Sequence, residues 1–167
     1  MVRLGTLLTL IAPVSPGGSD PAAGYLLRAA DVADVPALGG LYPRSYPPGV
    51  AGADLTDAIA DITAAFGGEY GELCLAASPV LIHDGAMIGA IQVVHRAPWP
   101  ATPDCPFAIE LFVAPEWRRR GLARLLLHRS MTALAATGAA QLALRVDAAN
   151  TPARALYAAL GFGEWSG

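Results

Sequence analysis

The stretch Val113-Ala114-Pro115-Glu116-Trp117-Arg118-Arg119-Arg120-Gly121-Leu122-Ala123 joins an apolar strand to a helix through a charged turn. The first N–H groups of a helix have no intrahelical partner and lie at the positive end of the helix dipole. Gly121 leaves the backbone open to a ligand, and the arginines before it concentrate positive charge there. The stretch therefore predicts an anion site suited to a pyrophosphate. The alternative is an arginine-rich turn that is only solvated.

The sequence on either side of this junction predicts alternating strands and helices. The predicted strands are Val2 to Val14, Tyr25 to Arg28, Pro79 to Ile82, Met87 to Val94, Phe107 to Val113 and Gln141 to Val146. The predicted helices run from Asp31 to Leu41, from Asp54 to Gly67, from Leu122 to Thr137 and from Thr151 to Gly161. Asp84-Gly85 predicts a tight turn between the third and fourth strands. After Gly161 there is room for one short strand.

Two segments in this framework resemble a known family. Arg118-x-x-Gly121-x-Ala123 is similar to the Arg/Gln-x-x-Gly-x-Gly/Ala signature of the GNAT acetyltransferases. Asn150-x-x-Ala153-x-x-x-Tyr157-x-x-x-Gly161-Phe162 resembles that family's second segment. The resemblance implies an α/β fold with a central mixed, mostly antiparallel twisted sheet that is splayed in the middle and has helices on both faces. It covers residues 25–167 as one N-acetyltransferase domain, with residues 1–24 as an extension made of a strand and a Pro/Gly linker.

The resemblance also implies acetyl-CoA as cosubstrate and indicates which residues bind it. The sheet would open between the strands at Phe107 to Val113 and Gln141 to Val146, so that Leu111, Phe112 and Val113 pair with the pantetheine arm. Asn150 would hydrogen-bond the same arm, although it could also cap the last helix. The pyrophosphate would be bound by the turn and the first helical residues, which are Arg118, Arg119, Arg120, Gly121, Leu122, Ala123 and Arg124.

Two side chains are candidates for proton transfer. Only a neutral amine attacks a thioester, so a base must remove a proton, and Glu110 is the best candidate. Strand alternation predicts that Glu110 shares a face with Ala108 and Phe112; the alternative is an ion pair with an arginine. Tyr157 would protonate the departing thiolate. The alternative for Tyr157 is an aromatic residue packed on the last helix.

Composition excludes several other classes of protein. The 167 residues are 54% hydrophobic and 15% charged, which is too apolar for a disordered chain. The formal net charge of −3 disfavours a general nucleic-acid binder, and Val2 to Val14 is too short for a membrane helix. The histidines lack metal-ligand spacing, so no metal is predicted. Two cysteines, Cys74 and Cys105, are too few for a disulfide framework, which favours the cytoplasm.

These observations lead to one main hypothesis and an alternative. The main hypothesis is an N-acetyltransferase that moves an acetyl group from acetyl-CoA to a primary amine of a small molecule or protein, by direct attack in a ternary complex. A two-step route through a cysteine thiolate is a lesser alternative. The other class is a non-catalytic acyl-CoA sensor or interaction module of the same fold. Acidic residues are scattered along the sequence, so no polycationic acceptor is indicated. The N-terminal strand would cover a sheet edge or a neighbouring subunit, and a homodimer is therefore considered.

Overall fold

The computed structural model describes residues 5–48 and 50–167, which form one mixed sheet with helices packed on it. The strands are β1 (Leu7–Pro13), β2 (Tyr25–Ala29), β3 (Pro79–His83), β4 (Ala86–Val94), β5 (Phe107–Val113), β6 (Gln141–Asp147) and β7 (Gly163–Glu164). The helices are α1 (Val35–Arg44), α2 (Leu55–Phe66), α3 (Leu122–Ala136) and α4 (Thr151–Ala159). The predicted element order is confirmed.

Local sequence signals explain most of the element boundaries. Asp84 and Gly85 have φ of 47° and 74°, so the predicted turn joins β3 to β4 with both central residues left-handed. The Asp54 side chain accepts a hydrogen bond from the Asp57 amide and begins α2. Asp31 caps a short 3₁₀ turn rather than α1 itself, and α1 continues to Arg44, past its predicted end. The predicted start of the first strand at Val2 lies outside the described residues.

The sheet has the strand order β2-β3-β4-β5-β6-β1-β7. Neighbouring strands are antiparallel except for β5 and β6, which are parallel. The parallel pair is short, because only Phe107↔Ala143 and Ala108↔Leu144 face each other. Beyond Ala108 the two strands separate, so the second half of β5 faces a gap. The predicted splay in the middle of the sheet is therefore confirmed.

Helices cover both faces of the sheet. Ile91 of β4 packs in a cluster that includes Leu126 of α3 and Tyr157 of α4. Its neighbour Ala90 packs in a second cluster, which includes Leu38 of α1 and Ile62 of α2. Adjacent residues of a strand point to opposite faces, so the two clusters lie on opposite sides of the sheet.

The N-terminal strand lies inside the sheet. β1 pairs antiparallel with all of β6, from Leu7↔Asp147 to Pro13↔Gln141, and two residues of its other edge pair with β7. The prediction that this segment covers a sheet edge is confirmed, because it covers the edge of β6. β7 is the short strand for which the sequence leaves room. The division of the chain at residue 24 stays a prediction.

Among the described residues, no helix is both long and apolar enough to cross a bilayer.

Candidate functional site

The gap between β5 and β6 is lined by backbone groups of β5, of which the Leu111 carbonyl accepts from the Tyr46 hydroxyl (3.3 Å) and the Val113 carbonyl from Arg118 Nε (3.4 Å). The amide of Ala114 donates to the carbonyl of Ile88 (2.8 Å), so Ala114 and every second residue before it direct their backbone groups at β4. In an antiparallel pair, alternate residues direct their N–H and C=O groups to the partner strand. Leu111 and Val113 therefore direct theirs into the gap, whereas Phe112 directs its own at Ala90 of β4. Of the three residues predicted to pair with a pantetheine arm, two offer groups to the gap.

The N-terminus of α3 lies at the end of β5, after the turn. Gly121 is the N-cap residue, with φ of 75°, and no side chain caps the helix within the described residues. The Leu125 amide is the one that donates back to the Gly121 carbonyl (3.0 Å), so the amides of Leu122, Ala123 and Arg124 precede the first intrahelical bonds. A Cβ built at Gly121 would meet no atom within 4 Å. The first turn of α3 thus has free donors beside open space, as an anion site requires.

The arginines of the turn have different environments. Arg118 is bonded to the protein, because Nη2 donates to the Ser45 carbonyl (2.5 Å) and Nε to the Val113 carbonyl (3.4 Å). The guanidinium of Arg120 lies 4.7 Å from the ring centroid of Trp117. In the part of the chain that the structure describes, neither Arg119 nor Arg120 forms a salt bridge with a carboxylate. Arg118 therefore shapes the turn, while the other two leave positive charge beside it.

Glu110 is held by two tyrosines. The hydroxyl groups of Tyr42 and Tyr46 donate to its carboxylate oxygens at 2.9 and 2.6 Å. Burial raises the pKa of Glu110 to about 7, and the nearby Asp61 raises it further, while the two hydrogen bonds lower it. No arginine pairs with Glu110 among the described residues, so the ion-pair alternative is wrong. A carboxyl group with a pKa near neutrality can accept a proton at physiological pH.

A β-bulge gives Glu110 its direction. Gln92 pairs with Glu110 whereas Val93 pairs with Ala108, so Ile109 is an extra residue in β5. Ala108 consequently packs with Val93 on the α3 side, while Glu110 faces α1. The prediction that Ala108 shares the face of Glu110 is wrong, because the bulge shifts the alternation. Phe112 does share it, since its ring lies 5.5 Å from that of Tyr42.

A pocket of about 120 Å³ lies beside Glu110. Its polar lining includes Asp61 of α2, whose carboxylate accepts a hydrogen bond from the Tyr70 hydroxyl. That hydrogen bond is the main cause that raises the pKa of Tyr70 to about 12. The rings of Tyr70 and Trp99 form part of the wall, with their centroids 6.4 Å apart. Two carboxyl groups, those of Asp61 and Glu110, therefore lie in one pocket with aromatic walls. The sequence does not show this, because the two residues are far apart along the chain.

Tyr157 and Asn150 occupy the elements that the second motif predicts. Tyr157 is 8% exposed and packs edge-on against Phe162, with ring centroids 5.7 Å apart. Burial, and then the charge of Glu110, raise the pKa of Tyr157 to about 12, so the phenol keeps its proton. Asn150 caps α4 by accepting a hydrogen bond from the Ala153 amide (3.2 Å). The local alternatives predicted for both residues, packing and capping, are thus present in the structure.

The cysteines are not arranged as nucleophiles. Cys74 is buried, and burial raises the pKa of the Cys105 thiol, which lowers its thiolate fraction. Within residues 5–48 and 50–167, no three His, Cys, Asp or Glu side chains form a group that could hold a metal ion.

Sequence reasoning missed the partners of Glu110 and the pocket around it. Tyr42 and Tyr46 are four residues apart, a helical spacing that places side chains on one face and could have indicated a pair. Gln92 is a polar residue within an apolar strand, which could also have been noticed. Asp61 carried no signal, because only the packing of α2 on the sheet brings it near Glu110.

Comparison with known proteins agrees with this architecture. A profile of the acetyltransferase (GNAT) family matches residues 43–162. The chain is 46% identical over 52 residues to a ribosomal protein bS18-alanine N-acetyltransferase of Salmonella typhimurium, a match that spans 31% of this chain and 35% of that enzyme.

Solved structures share the fold. A GCN5-related N-acetyltransferase from Sphaerobacter thermophilus superposes with a TM-score of 0.70 and 16% identity, over 95% of this chain and 48% of the other. The ribosomal-protein-S18-alanine N-acetyltransferase of Escherichia coli gives a TM-score of 0.65 and 24% identity, over 85% and 79%. The aminoglycoside N-acetyltransferase AAC(6')-Iy in complex with CoA gives 0.65 and 22%, over 92% and 94%.

The signature turn, the splayed sheet and a family match over more than half of the sequence lead to one conclusion: this chain belongs to the acetyltransferase (GNAT) family.

Proposed function

We propose that this protein transfers the acetyl group of acetyl-CoA to a primary amine. The observation that carries the proposal is the gap between β5 and β6, which ends at the N-terminus of α3, where no side chain caps the helix within the described residues, and lies beside the partly buried carboxyl group of Glu110. Membership of the GNAT family supports acetyl-CoA as the cosubstrate. Relatives named as alanine and aminoglycoside N-acetyltransferases support an amine as the acceptor.

Two sets of donors suit acetyl-CoA. The backbone amides of Leu111 and Val113 would donate to carbonyls of the pantetheine arm, as a neighbouring strand would. Their own carbonyls would accept from the arm only by giving up or sharing the hydrogen bonds from Tyr46 and Arg118. The amides of Leu122, Ala123 and Arg124, together with Gly121, would bind the pyrophosphate at the helix N-terminus. The guanidinium groups of Arg119, Arg120 and Arg124 would add attraction for its negative charge. Asn150 would contact the arm only by giving up, or sharing, its role as a cap.

Proton transfer follows from the two titrating side chains. The ionised carboxylate of Glu110 takes a proton from the acceptor ammonium, directly or through one water, and leaves the amine free to attack. The new C–N bond forms as the C–S bond breaks, so the acetyl group passes from sulfur to nitrogen. Tyr157 gives its proton to the CoA thiolate and regains one from the nitrogen, which loses a second proton as the amide forms. The proton held by Glu110 then leaves to solvent, so each turnover releases one proton. Because the pKa of Tyr157 is raised to about 12, the phenol is present in its protonated form for this step.

The acceptor would enter through the pocket that Asp61 and Glu110 line. Carboxylates attract a protonated amine, and the ring of Tyr70 lies beside them, whereas Trp99 already has the guanidinium of Arg145 over its ring, 5.6 Å from the centroid. A small molecule or the end of a protein side chain would both meet these groups. The cytoplasmic location and the homodimer predicted from the sequence stay predictions.

The test is a panel of primary amines incubated with acetyl-CoA, with release of free CoA thiol as the readout. We expect release with at least one amine, and a rate that rises as pH passes through about 7, where Glu110 ionises. Glu110→Gln should lower kcat by roughly 10²-fold or more, the size of a general-base contribution, and leave CoA affinity unchanged. Tyr157→Phe should lower kcat in the same direction.

The control is Glu72→Gln, an exposed carboxylate that is not among the residues lining the pocket. CoA binding without thiol release from any amine would contradict the enzyme and support the sensor of the same fold. A pH profile that Glu110→Gln leaves unchanged would contradict the role of Glu110 alone.

A further inference from the structure

Gln92 is a buried amide without a partner. It lies on β4, is 1% exposed, and within the described residues neither Oε1 nor Nε2 has a hydrogen-bond partner. Burying an unpaired amide destabilises a protein, and an apolar side chain of similar size would avoid that cost. The other large side chains that are fully buried in this sheet, such as Leu81 and Ile91, are apolar. This amide retains hydrogen-bonding capacity that the described residues leave unused.

The surroundings of Gln92 indicate where a ligand would reach it. Gln92 lines the pocket that also contains Glu110, Asp61, Tyr70 and Trp99, and its apolar lining comes from Ile62, Ala65 and Ile109. A volume of about 120 Å³ corresponds to about four water molecules, at about 30 Å³ each. The pocket therefore suits a small ligand or the end of a larger one.

Gln92 and Glu110 are direct neighbours across the β4–β5 ladder. Side chains paired in this way have Cβ atoms about 4.5–5.5 Å apart. A ligand whose amine faces Glu110 therefore places atoms only a few bonds further along within reach of Gln92. The carboxylate of Asp61, which also lines the pocket, provides the negative charge that an ammonium group needs.

We propose that Gln92 determines acceptor specificity by hydrogen-bonding a neutral polar group, a hydroxyl or an amide, about two to four bonds from the reacting amine. The proposal rests on the proposed function and names the class of acceptor that the same site takes. In this arrangement Glu110 and Asp61 face the amine, and the methylene groups of the acceptor contact Ile62, Ala65 and Ile109.

The chemistry of a carboxamide selects this class. Gln92 offers two donors on Nε2 and an acceptor on Oε1. A second ammonium group has donors alone and would leave Nε2 unpaired. A carboxylate has acceptors alone and would be repelled by Asp61 and Glu110. Hydroxyl and amide groups both donate and accept, so they satisfy both ends of the glutamine.

The experiment compares matched acceptors that differ in this one group. Aminopropanol is paired with butylamine, and β-alaninamide with isopentylamine, which replace the hydroxyl and the amide by apolar groups of the same shape. We expect the intact protein to prefer the polar member by about tenfold or more in kcat/KM. Gln92→Leu should lower that preference at least about tenfold. For each pair, the preference of the intact protein is divided by that of Gln92→Leu, which cancels the intrinsic reactivity of the two amines. If this ratio is larger for the aminopropanol pair, Gln92 recognises a hydroxyl; if it is larger for the β-alaninamide pair, Gln92 recognises an amide.

The control variant is Gln141→Leu, an exposed glutamine at the start of β6, which should keep the original preference. Gln92→Met is the second variant if the branched side chain of leucine hinders folding. Equal preferences in the intact protein and both Gln92 variants would overturn the proposal while leaving acetyl transfer in place.

Failure of the proposed function gives a different result. If no amine releases CoA thiol, thermal protection of the CoA-bound protein by aminopropanol and β-alaninamide tests the pocket by binding alone. Protection that Gln92→Leu removes would support the role of Gln92, and protection that is absent from the intact protein or unchanged in the variant would overturn it.

Discussion

Glu110 combines two properties that seldom occur together in a carboxyl group: it is partly buried with no salt bridge to any described residue, and it is hydrogen-bonded by two phenols. Burial dominates and raises its pKa to about 7, although the hydrogen bonds from Tyr42 and Tyr46 act in the opposite direction. Those phenols have raised pKa values themselves, chiefly because they are buried, so they remain donors. The side chain is therefore fixed in place and close to half ionised at neutral pH.

This burial has a consequence for stability. In the unfolded chain the carboxyl group titrates near its ordinary value of 4.5, whereas in the folded chain it titrates near 7. Between these pH values the folded state holds the extra proton, so the free energy of unfolding falls as pH rises from about 4.5 to 7 and stays low above that. Glu110→Gln removes this loss, and we expect the variant to be more stable than the original protein by up to roughly 3 kcal/mol at about pH 8, and about equal at pH 4.

Urea unfolding at the two pH values measures the effect. The other carboxyl group that faces Glu110 is that of Asp61. The exposed variant Glu72→Gln should show the same small difference at both values. A stability difference for Glu110→Gln that does not vary with pH would show that the folded protein does not hold the proton.

The sequence contains enough information to select Glu110, because strand alternation leaves it as a lone carboxylate in an apolar strand. The sequence does not reveal which side chains surround Glu110 in the fold. Tyr42 and Tyr46 lie at the end of α1 and in the turn after it, and Asp61 lies on α2. Their proximity to Glu110 is set by the packing of two helices on the sheet, which no local pattern encodes.

At the scale of elements, the turn before α3 can be understood from its backbone. Arg119 and Gly121 both have positive φ, at 61° and 75°, so two of the three residues before the helix are in the left-handed region. The hydrogen bonds of Arg118 to Ser45 and Val113 fix this turn to the end of α1 and to β5. The glycine and the strand-to-helix junction were predictable. The bonds of Arg118 were not, because they join residues that are far apart in the sequence.

Gly121 allows a matched comparison with Gly138 at the other end of α3. Both glycines have positive φ, 75° and 82°, and open space where a Cβ would lie. Gly121→Ala and Gly138→Ala should therefore lower the free energy of unfolding by a similar amount, about 1 kcal/mol. Only Gly121→Ala should weaken CoA binding, by about tenfold, because only its methyl group lies where the pyrophosphate would approach the amides.

Titration of both variants with CoA, together with their thermal unfolding, measures the two effects separately. Equal loss of CoA affinity in the two variants would assign the effect to strain in α3 and not to the anion site.

The bulge in β5 is the other feature at this scale. Strict alternation predicts one face for Ala108, Glu110 and Phe112, but the extra residue Ile109 reverses the phase between the first two. A bulge is a property of the pairing with β4, so periodicity within β5 cannot reveal it. Predicting the wrong face for Ala108 does not change the predicted fold. The direction of Glu110 at the site, however, depends on the bulge.

In the molecule as a whole, the N-terminal strand completes the sheet. β1 lies between β6 and β7, and its residues Leu10 and Ala12 are part of the main apolar cluster. The sequence predicts a strand here and an edge for it to cover. The particular edge, that of β6, is set by long-range pairing, which a local pattern does not reveal.

A pair of leucines tests whether β1 belongs to the cooperative core. Leu10 is 6% exposed and Leu7 is 60% exposed, on the same strand. Leu10→Ala should lower the free energy of unfolding by about 2–5 kcal/mol, and Leu7→Ala by less than about 0.5 kcal/mol. Urea unfolding measures both. A Leu10→Ala cost as small as that of Leu7→Ala would mean that β1 is not part of the unit that unfolds cooperatively.

The central claim is that free backbone donors along β5 and at the start of α3 bind CoA. Isothermal titration calorimetry of the purified chain with CoA tests this claim most directly. The account predicts that one CoA binds per chain. Pantetheine, which lacks the pyrophosphate that α3 would bind, should bind more weakly. Absence of binding heat at several temperatures, or equal affinity for CoA and pantetheine, would contradict it.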